Sequence, residues 1–132
     1  MQEVKWNGAV LARHINEDDW AAGLSFFSAD EEFVQVGTWR YDEGKQLLAH
    51  AHNEAPRTVP WTQEVLFVKR GRIEAQIYNP ENERIATLTA GAGDVLILLA
   101  GGHGYTILED DTHVLEIKNG PYLGAEADRR RL

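Results

Sequence analysis

Short apolar runs separated by turn residues fill this chain from Phe33 onward and constrain its fold more than any other feature. Each run is rich in Val, Ile, Leu, Thr or aromatic residues, and Gly, Asn, Asp or Pro closes it before it reaches the length of a typical helix. This pattern is typical of short antiparallel strands in a sandwich or barrel. It predicts eight strands: Phe33 to Tyr41, Gln46 to His52, Thr62 to Arg70, Arg72 to Asn79, Ile85 to Thr89, Asp94 to Leu99, His103 to Leu108 and Thr112 to Asn119. We therefore expect an all-β domain.

The ends of the chain differ from this middle part. Residues 1–32 are mixed in composition and predict a short, mostly irregular N-terminal arm, in which Asn16 is placed to cap a turn that begins at Glu17. Residues 33–124 form the predicted domain, and residues 125–132 a charged C-terminal tail. The basic cluster Arg129–Arg131 in that tail is interpreted as solvated.

Charge excludes two classes of partner. The chain has 13 basic and 21 acidic residues and a formal charge of −8, which disfavours binding to nucleic acid and to anionic membranes. The first residues lack the pattern of a signal peptide, and the longest strongly apolar run, Val95 to Ala100, is too short to span a bilayer. We expect a cytoplasmic protein with no membrane association.

Apolar side chains in the arm also predict a homodimer. A small sandwich must protect its edge strands, and the arm carries Trp20, Leu24, Phe26 and Phe27, which together are sufficient to pack across a partner. The alternative is that the arm folds back on its own domain.

Four ionisable residues on predicted strands mark the candidate site. The two-residue period of a strand places His50 and His52 on one face, and it places Glu64 on the apolar face of a second strand. A buried carboxylate needs a paired group or a bound cation, and His103 begins a later strand. The chain has no Cys, so any metal must be held by nitrogen and oxygen ligands. Three imidazoles and one carboxylate suit a divalent transition metal better than Ca or Mg.

Two stretches resemble the paired motifs of the cupin superfamily. The first contains Gly44, His50, His52, Glu64 and Gly71, and the second runs from Gly93-Asp94 to Gly101-Gly102-His103. The resemblance covers roughly residues 33–119. It implies a double-stranded β-helix, which is the RmlC-like jelly-roll or cupin barrel, with one metal inside. The chain departs from the pattern in the eleven residues between His52 and Glu64, a longer gap than usual, and in Leu99 and Ile107, which replace a proline and an asparagine.

The resemblance implies a ligand set of His50, His52, Glu64 and His103 for one divalent ion of Mn, Fe, Ni, Co, Cu or Zn. A metal-free pocket is the alternative, because many cupins have lost their metal and each histidine taken singly is often structural.

Four further residues are candidates for substrate binding. Arg57 and Arg40 each carry a planar guanidinium group whose paired N–H donors suit a carboxylate or phosphate. The alternative is that both form surface salt bridges. Tyr105 shares a strand face with His103 and is interpreted as a pocket hydroxyl or as core packing. Trp61 is interpreted as core or as a ring that stacks on a sugar.

The expected function is that of a metal-dependent cupin acting on a small oxygen-rich metabolite, either anionic or sugar-derived. The metal would polarise a bidentate ligand for isomerase, epimerase, lyase or dioxygenase chemistry, and the sequence leaves the reaction and the catalytic residues open. The stretch from Lys118 to Gly124 resembles the ending of small cupins encoded among surface-polysaccharide genes, which implies carbohydrate metabolism. The alternative is a module that binds or senses a carbohydrate or acid without turnover.

Overall fold

The computed structural model describes residues 1–132 and confirms the all-β prediction. Its ten strands are β1 Gln2–Trp6, β2 Ala9–Ile15, β3 Gly23–Phe26, β4 Gly37–Arg40, β5 Glu64–Arg70, β6 Arg72–Tyr78, β7 Arg84–Gly91, β8 Val95–Leu98, β9 Gly102–Ile107 and β10 His113–Lys118. Every strand pairing is antiparallel. Helical structure is limited to a 3₁₀ turn at Glu17–Asp19 and to α1 at Ala125–Asp128. No helix is long and apolar enough to cross a membrane.

The strands form three sheets. A five-stranded sheet has the order β1-β2-β8-β5-β10, a three-stranded sheet has the order β7-β6-β9, and β3 pairs with β4 alone. The five-stranded sheet therefore combines strands from the beginning, the middle and the end of the chain.

The main hydrophobic core takes side chains from the two larger sheets. The five-stranded sheet contributes Leu11, Leu66, Leu96 and others, and the three-stranded sheet contributes residues of β6 and β7 such as Ile77 and Leu88. All five of these side chains are at most 4% exposed. Burial of this apolar surface is the dominant favourable term in folding.

A second core covers the opposite face of the five-stranded sheet. It consists of Ile15, Val65, Val95, Ile97 and Leu99, and partly buried residues between positions 20 and 36 pack against it. Because both faces of β8 are covered, all four residues of this strand are buried. This explains its continuous apolar sequence.

The predicted irregular arm is wrong, because residues 1–32 contain two long strands and a shorter one. Asn7 and Gly8 have φ values of +48° and +84°, which suit the tight turn of the β1–β2 hairpin. Strand β2 then pairs with β8, with Ala12 opposite Leu98. The prediction for Asn16 is confirmed, since its side chain accepts a hydrogen bond from the backbone N–H of Asp18.

The predicted strand from Gln46 to His52 does not form. Residues 41–63, which we call the connecting segment, contain no strand or helix. The predicted stretch contains two Ala residues, which are depleted in strands, and its two Leu side chains are 48% and 87% exposed. Because neither Leu is buried against the domain, the stretch lies outside the three sheets and has no partner strand.

The four aromatic and apolar residues predicted to cover a dimer partner divide into two pairs. Trp20 and Phe27 pack against the second core of their own chain. Leu24 and Phe26 on β3 are 48% and 60% exposed, and Trp39 on β4, opposite Leu24, is 61% exposed. The homodimer stays a prediction, and the exposed face of the β3–β4 hairpin is the surface that it would use.

Candidate functional site

A large cavity lies where β5 begins and where β8 and β10 end. It has a volume of about 960 Å³ and includes the Gly101-Gly102 turn and the first half of β9 in its wall. Residues 126–132 of the C-terminal tail complete the wall. The strand register explains the location, because Glu64 at the start of β5 lies opposite Leu98 on one side and opposite Lys118 on the other.

Glu64 is the buried acid of this cavity. Its side chain is 8% exposed, and its two oxygens contact different partners: the ammonium Nζ of Lys118 lies 2.9 Å from Oε1, and the imidazole Nε2 of His103 lies 3.2 Å from Oε2. Burial alone would raise the pKa of Glu64, but the hydrogen bonds from His103 and Lys118 outweigh it and lower the pKa from 4.5 to about 2. Glu64 is therefore a carboxylate at neutral pH, and it has the partner that the sequence required.

Tyr105 adds a hydroxyl to the same carboxylate. Its Oη donates to Glu64 Oε2 over 3.5 Å, and its ring lies 5.3 Å from the ring of His103. Desolvation, together with the charges of Glu64 and Glu116, raises the pKa of Tyr105 well above its usual value. The phenol keeps its proton at neutral pH and can serve as a donor.

His103 and Glu64 are the two predicted metal ligands that the structure brings together. His50 and His52 lie side by side in the connecting segment, with ring centroids 5.1 Å apart, but both are exposed and neither lines the cavity. His50 Nδ1 instead lies 3.1 Å from the carbonyl oxygen of Leu48. No group of three or more His, Cys, Asp or Glu side chains is gathered for a metal. This arrangement supplies two of the four donors, which does not complete a transition-metal site, and the four-ligand set stays a prediction.

Two of the four predicted substrate-binding residues line the cavity and two do not. Tyr105 and Trp61 line the cavity, and the indole N–H of Trp61 donates to the carbonyl oxygen of Leu99 over 2.8 Å. Arg40 ends β4 and is exposed, and Arg57 lies in a separate depression whose wall includes the acidic residues 30–32. Neither arginine lines the cavity, because the connecting segment and the β3–β4 hairpin carry them elsewhere.

Sequence reasoning missed the residues that give this cavity its charge. Lys118 and Glu116 alternate along β10, and Lys118 contacts both Glu116 and Glu64. The sequence signal for Lys118 was Glu64 itself, because a buried carboxylate needs a paired group or a bound cation. The tail arginines Arg129–Arg131 also line the cavity, and their sequence carried no signal for this position.

Fold and site together define a small antiparallel β protein with an acid, an imidazole and a phenol at the end of its sandwich. No protein-family model, curated protein or solved structure matches the chain.

Proposed function

We propose that the protein is a small cupin that binds and transforms an oxygen-rich metabolite in the cavity around Glu64. One observation carries the proposal: Glu64 from the five-stranded sheet and His103 from the three-stranded sheet meet at 3.2 Å. These two residues are far apart in sequence, and the cupin resemblance implied that they would converge. The stretch from Lys118 to Gly124, which resembles the ending of cupins encoded among surface-polysaccharide genes, favours a sugar-derived metabolite.

The chain's own residues supply groups for proton transfer. Glu64 is ionised, and its pKa is low because His103 and Lys118 stabilise its charge. The hydroxyl oxygen of Tyr105, which keeps its proton, lies 3.5 Å from Oε2 of that carboxylate. A carboxylate that can accept a proton and a phenol that can donate one therefore lie together on one wall, and isomerisation, epimerisation and elimination each use a positioned acceptor and donor of this kind.

A divalent transition metal belongs to the same proposal. Glu64 and His103 would hold it in the cavity, and His50 and His52 are the two further ligands that the cupin resemblance implies. When bound, the metal would polarise a carbonyl or hydroxyl oxygen of the substrate or support oxygen chemistry.

Metal analysis of purified protein tests this part of the proposal. We expect close to one transition metal per chain in the wild type and a large loss in Glu64→Gln, His103→Gln and His50→Ala. His113→Gln is the matched control, because His113 is exposed and its Nε2 lies 2.8 Å from Asp111 outside the cavity. Equal metal content in the wild type and all four variants, including no metal in any of them, would contradict the metal site.

A binding module that holds a carbohydrate or acid without turnover is the second candidate. The exposed ring of Trp61 at the cavity wall favours it, because an aromatic face can stack on a sugar. Incubation with sugar acids and sugar phosphates, followed by mass spectrometry and measurement of oxygen uptake, separates the two. Ligand binding with no product from any bound compound would support the binding module against the enzyme.

A further inference from the structure

The C-terminal segment, residues 125–132, forms one wall of the cavity and is held in place at two points. Thr62 Oγ1 donates to Asp128 Oδ1 over 2.8 Å. Farther along, the side chain of Leu132 fills the space above Gly102, where an added Cβ would lie within 2.5 Å of its Cδ1. Since both contacts join the segment to cavity residues, the arginines between them stay beside the cavity.

The three arginines of this segment are the cavity's uncommitted cations. None of Arg129, Arg130 and Arg131 forms a salt bridge or a side-chain hydrogen bond. Among the other charged groups of the wall, Lys118 pairs with Glu64 and Glu116. Asp128 accepts a hydrogen bond from the neutral hydroxyl of Thr62, and Glu126 has no partner, so these two carboxylates have no cation beside them. The three guanidinium groups share the wall with these two carboxylates and form no ion pair with either, which leaves all three free to bind a ligand.

We infer that Arg129–Arg131 recognise an oxyanion on the cavity's ligand, either a carboxylate or a phosphate. The inference rests on the proposed function and narrows its substrate class to acidic metabolites. A guanidinium presents paired N–H donors in a plane that matches both oxyanions. The anionic end of the ligand lies against the C-terminal segment, and its other end faces His103 and Tyr105 on β9.

Three related sugars serve as probes: glucose 1-phosphate, glucuronate and glucose. Each is titrated into the full-length protein, and binding is followed by NMR through the backbone amides of Gly101–Gly104 in the cavity wall. We expect both anionic sugars to bind more tightly than glucose. In a triple variant with Arg129, Arg130 and Arg131 changed to Gln, the affinity for the anionic sugars should fall about tenfold or more, which is the typical effect of losing one charge-assisted hydrogen bond.

The control is a triple variant of equal charge with Lys45, Lys69 and Arg84 changed to Gln, all of which are exposed and none of which lines the cavity. It should bind the anionic sugars like the wild type. Equal losses in both triple variants would show only the effect of net charge and would overturn the inference.

A second pair of variants tests whether the position of the segment matters. Gly102→Ala should displace Leu132 and weaken binding of the anionic sugars, whereas Gly91→Ala, with nothing within 4 Å of the added Cβ, should not. Unchanged affinity in Gly102→Ala would count against the role of the segment.

The possible failures are distinguishable. If the sugars shift the NMR signals of the Gly101–Gly104 amides but the two anionic sugars bind no more tightly than glucose, the inference is wrong. The proposed binding cavity is then still supported. If no probe shifts these amides in the wild type, both are contradicted. If only one of the two anionic sugars binds, the inference holds and the oxyanion is identified.

Discussion

Replacement of Glu64 by Gln should remove one specific part of the protein's pH-dependent stability. The folded-state pKa of Glu64 is about 2, below its ordinary value of 4.5. A carboxyl group of this kind stabilises the fold above its unfolded pKa and loses that contribution as pH falls from about 4.5 through about 2.

The difference between these pKa values sets the magnitude. At about 1.4 kcal/mol per unit, the ionised carboxylate contributes about 3 kcal/mol at neutral pH, and about 2 kcal/mol of this is lost by about pH 3. Screening by solvent reduces this stabilising free energy only slightly, because the side chain is 8% exposed. Glu64→Gln should therefore be less stable than the wild type at pH 7, and the gap should narrow as pH falls.

Urea unfolding followed by tryptophan fluorescence at about pH 7, 4 and 3 measures this gap in free energy of unfolding. Glu43→Gln is the control, because Glu43 is exposed and forms no salt bridge, and its gap should stay small at every pH. A gap for Glu64→Gln that stays constant between pH 7 and pH 3 would refute the account of Glu64 as an ion-paired carboxylate.

Three further predictions concern the fold and assembly. Leu96→Ala in the core should lower the free energy of unfolding by about 2–5 kcal/mol, whereas Leu115→Ala, 55% exposed, should change it by about 0.5 kcal/mol or less in chemical denaturation. Gly101→Ala should be strongly destabilising, because its φ is +76° and the added Cβ would collide with a backbone carbonyl oxygen of β6, while Gly91→Ala should have a small effect on the melting temperature. Light scattering should give a dimer mass that Phe26→Asp reduces to that of a monomer, since Phe26 is 60% exposed on β3; a monomeric wild type would contradict the dimer.

Local patterns in the sequence were sufficient for most strands of the second half of the chain. The predicted strands that became β5 to β10 differ from the observed ones by a few residues at their ends. They are short, apolar and closed by turn residues, so local preference and tertiary packing agree. The Asn7-Gly8 pair is also a strong local signal for a hairpin, and it forms the turn between β1 and β2.

The connecting segment shows where local pattern fails. His50 and His52 have the spacing of two ligands on one strand face, but a strand requires a neighbour to accept its hydrogen bonds, and no neighbour is available to this segment. The two-residue period of a strand therefore does not describe these two histidines, which lie outside every sheet. Whether they reach the cavity depends on the path of the segment, which residue spacing does not encode.

The sequence by itself determined that this chain is an antiparallel β protein, since its apolar runs are too short for helices and too regularly interrupted for anything but short strands. It also determined that Glu64 needs a paired group or a bound cation, because burial of an unpaired carboxylate is unfavourable at any position in a fold. Tertiary structure alone decided which cations surround the cavity. Lys118 reaches Glu64 through the β5–β10 register, and Arg129–Arg131 reach the cavity because Thr62 and Leu132 anchor their segment. Such contacts join residues distant along the chain, and their side chains meet only after the sheets have packed.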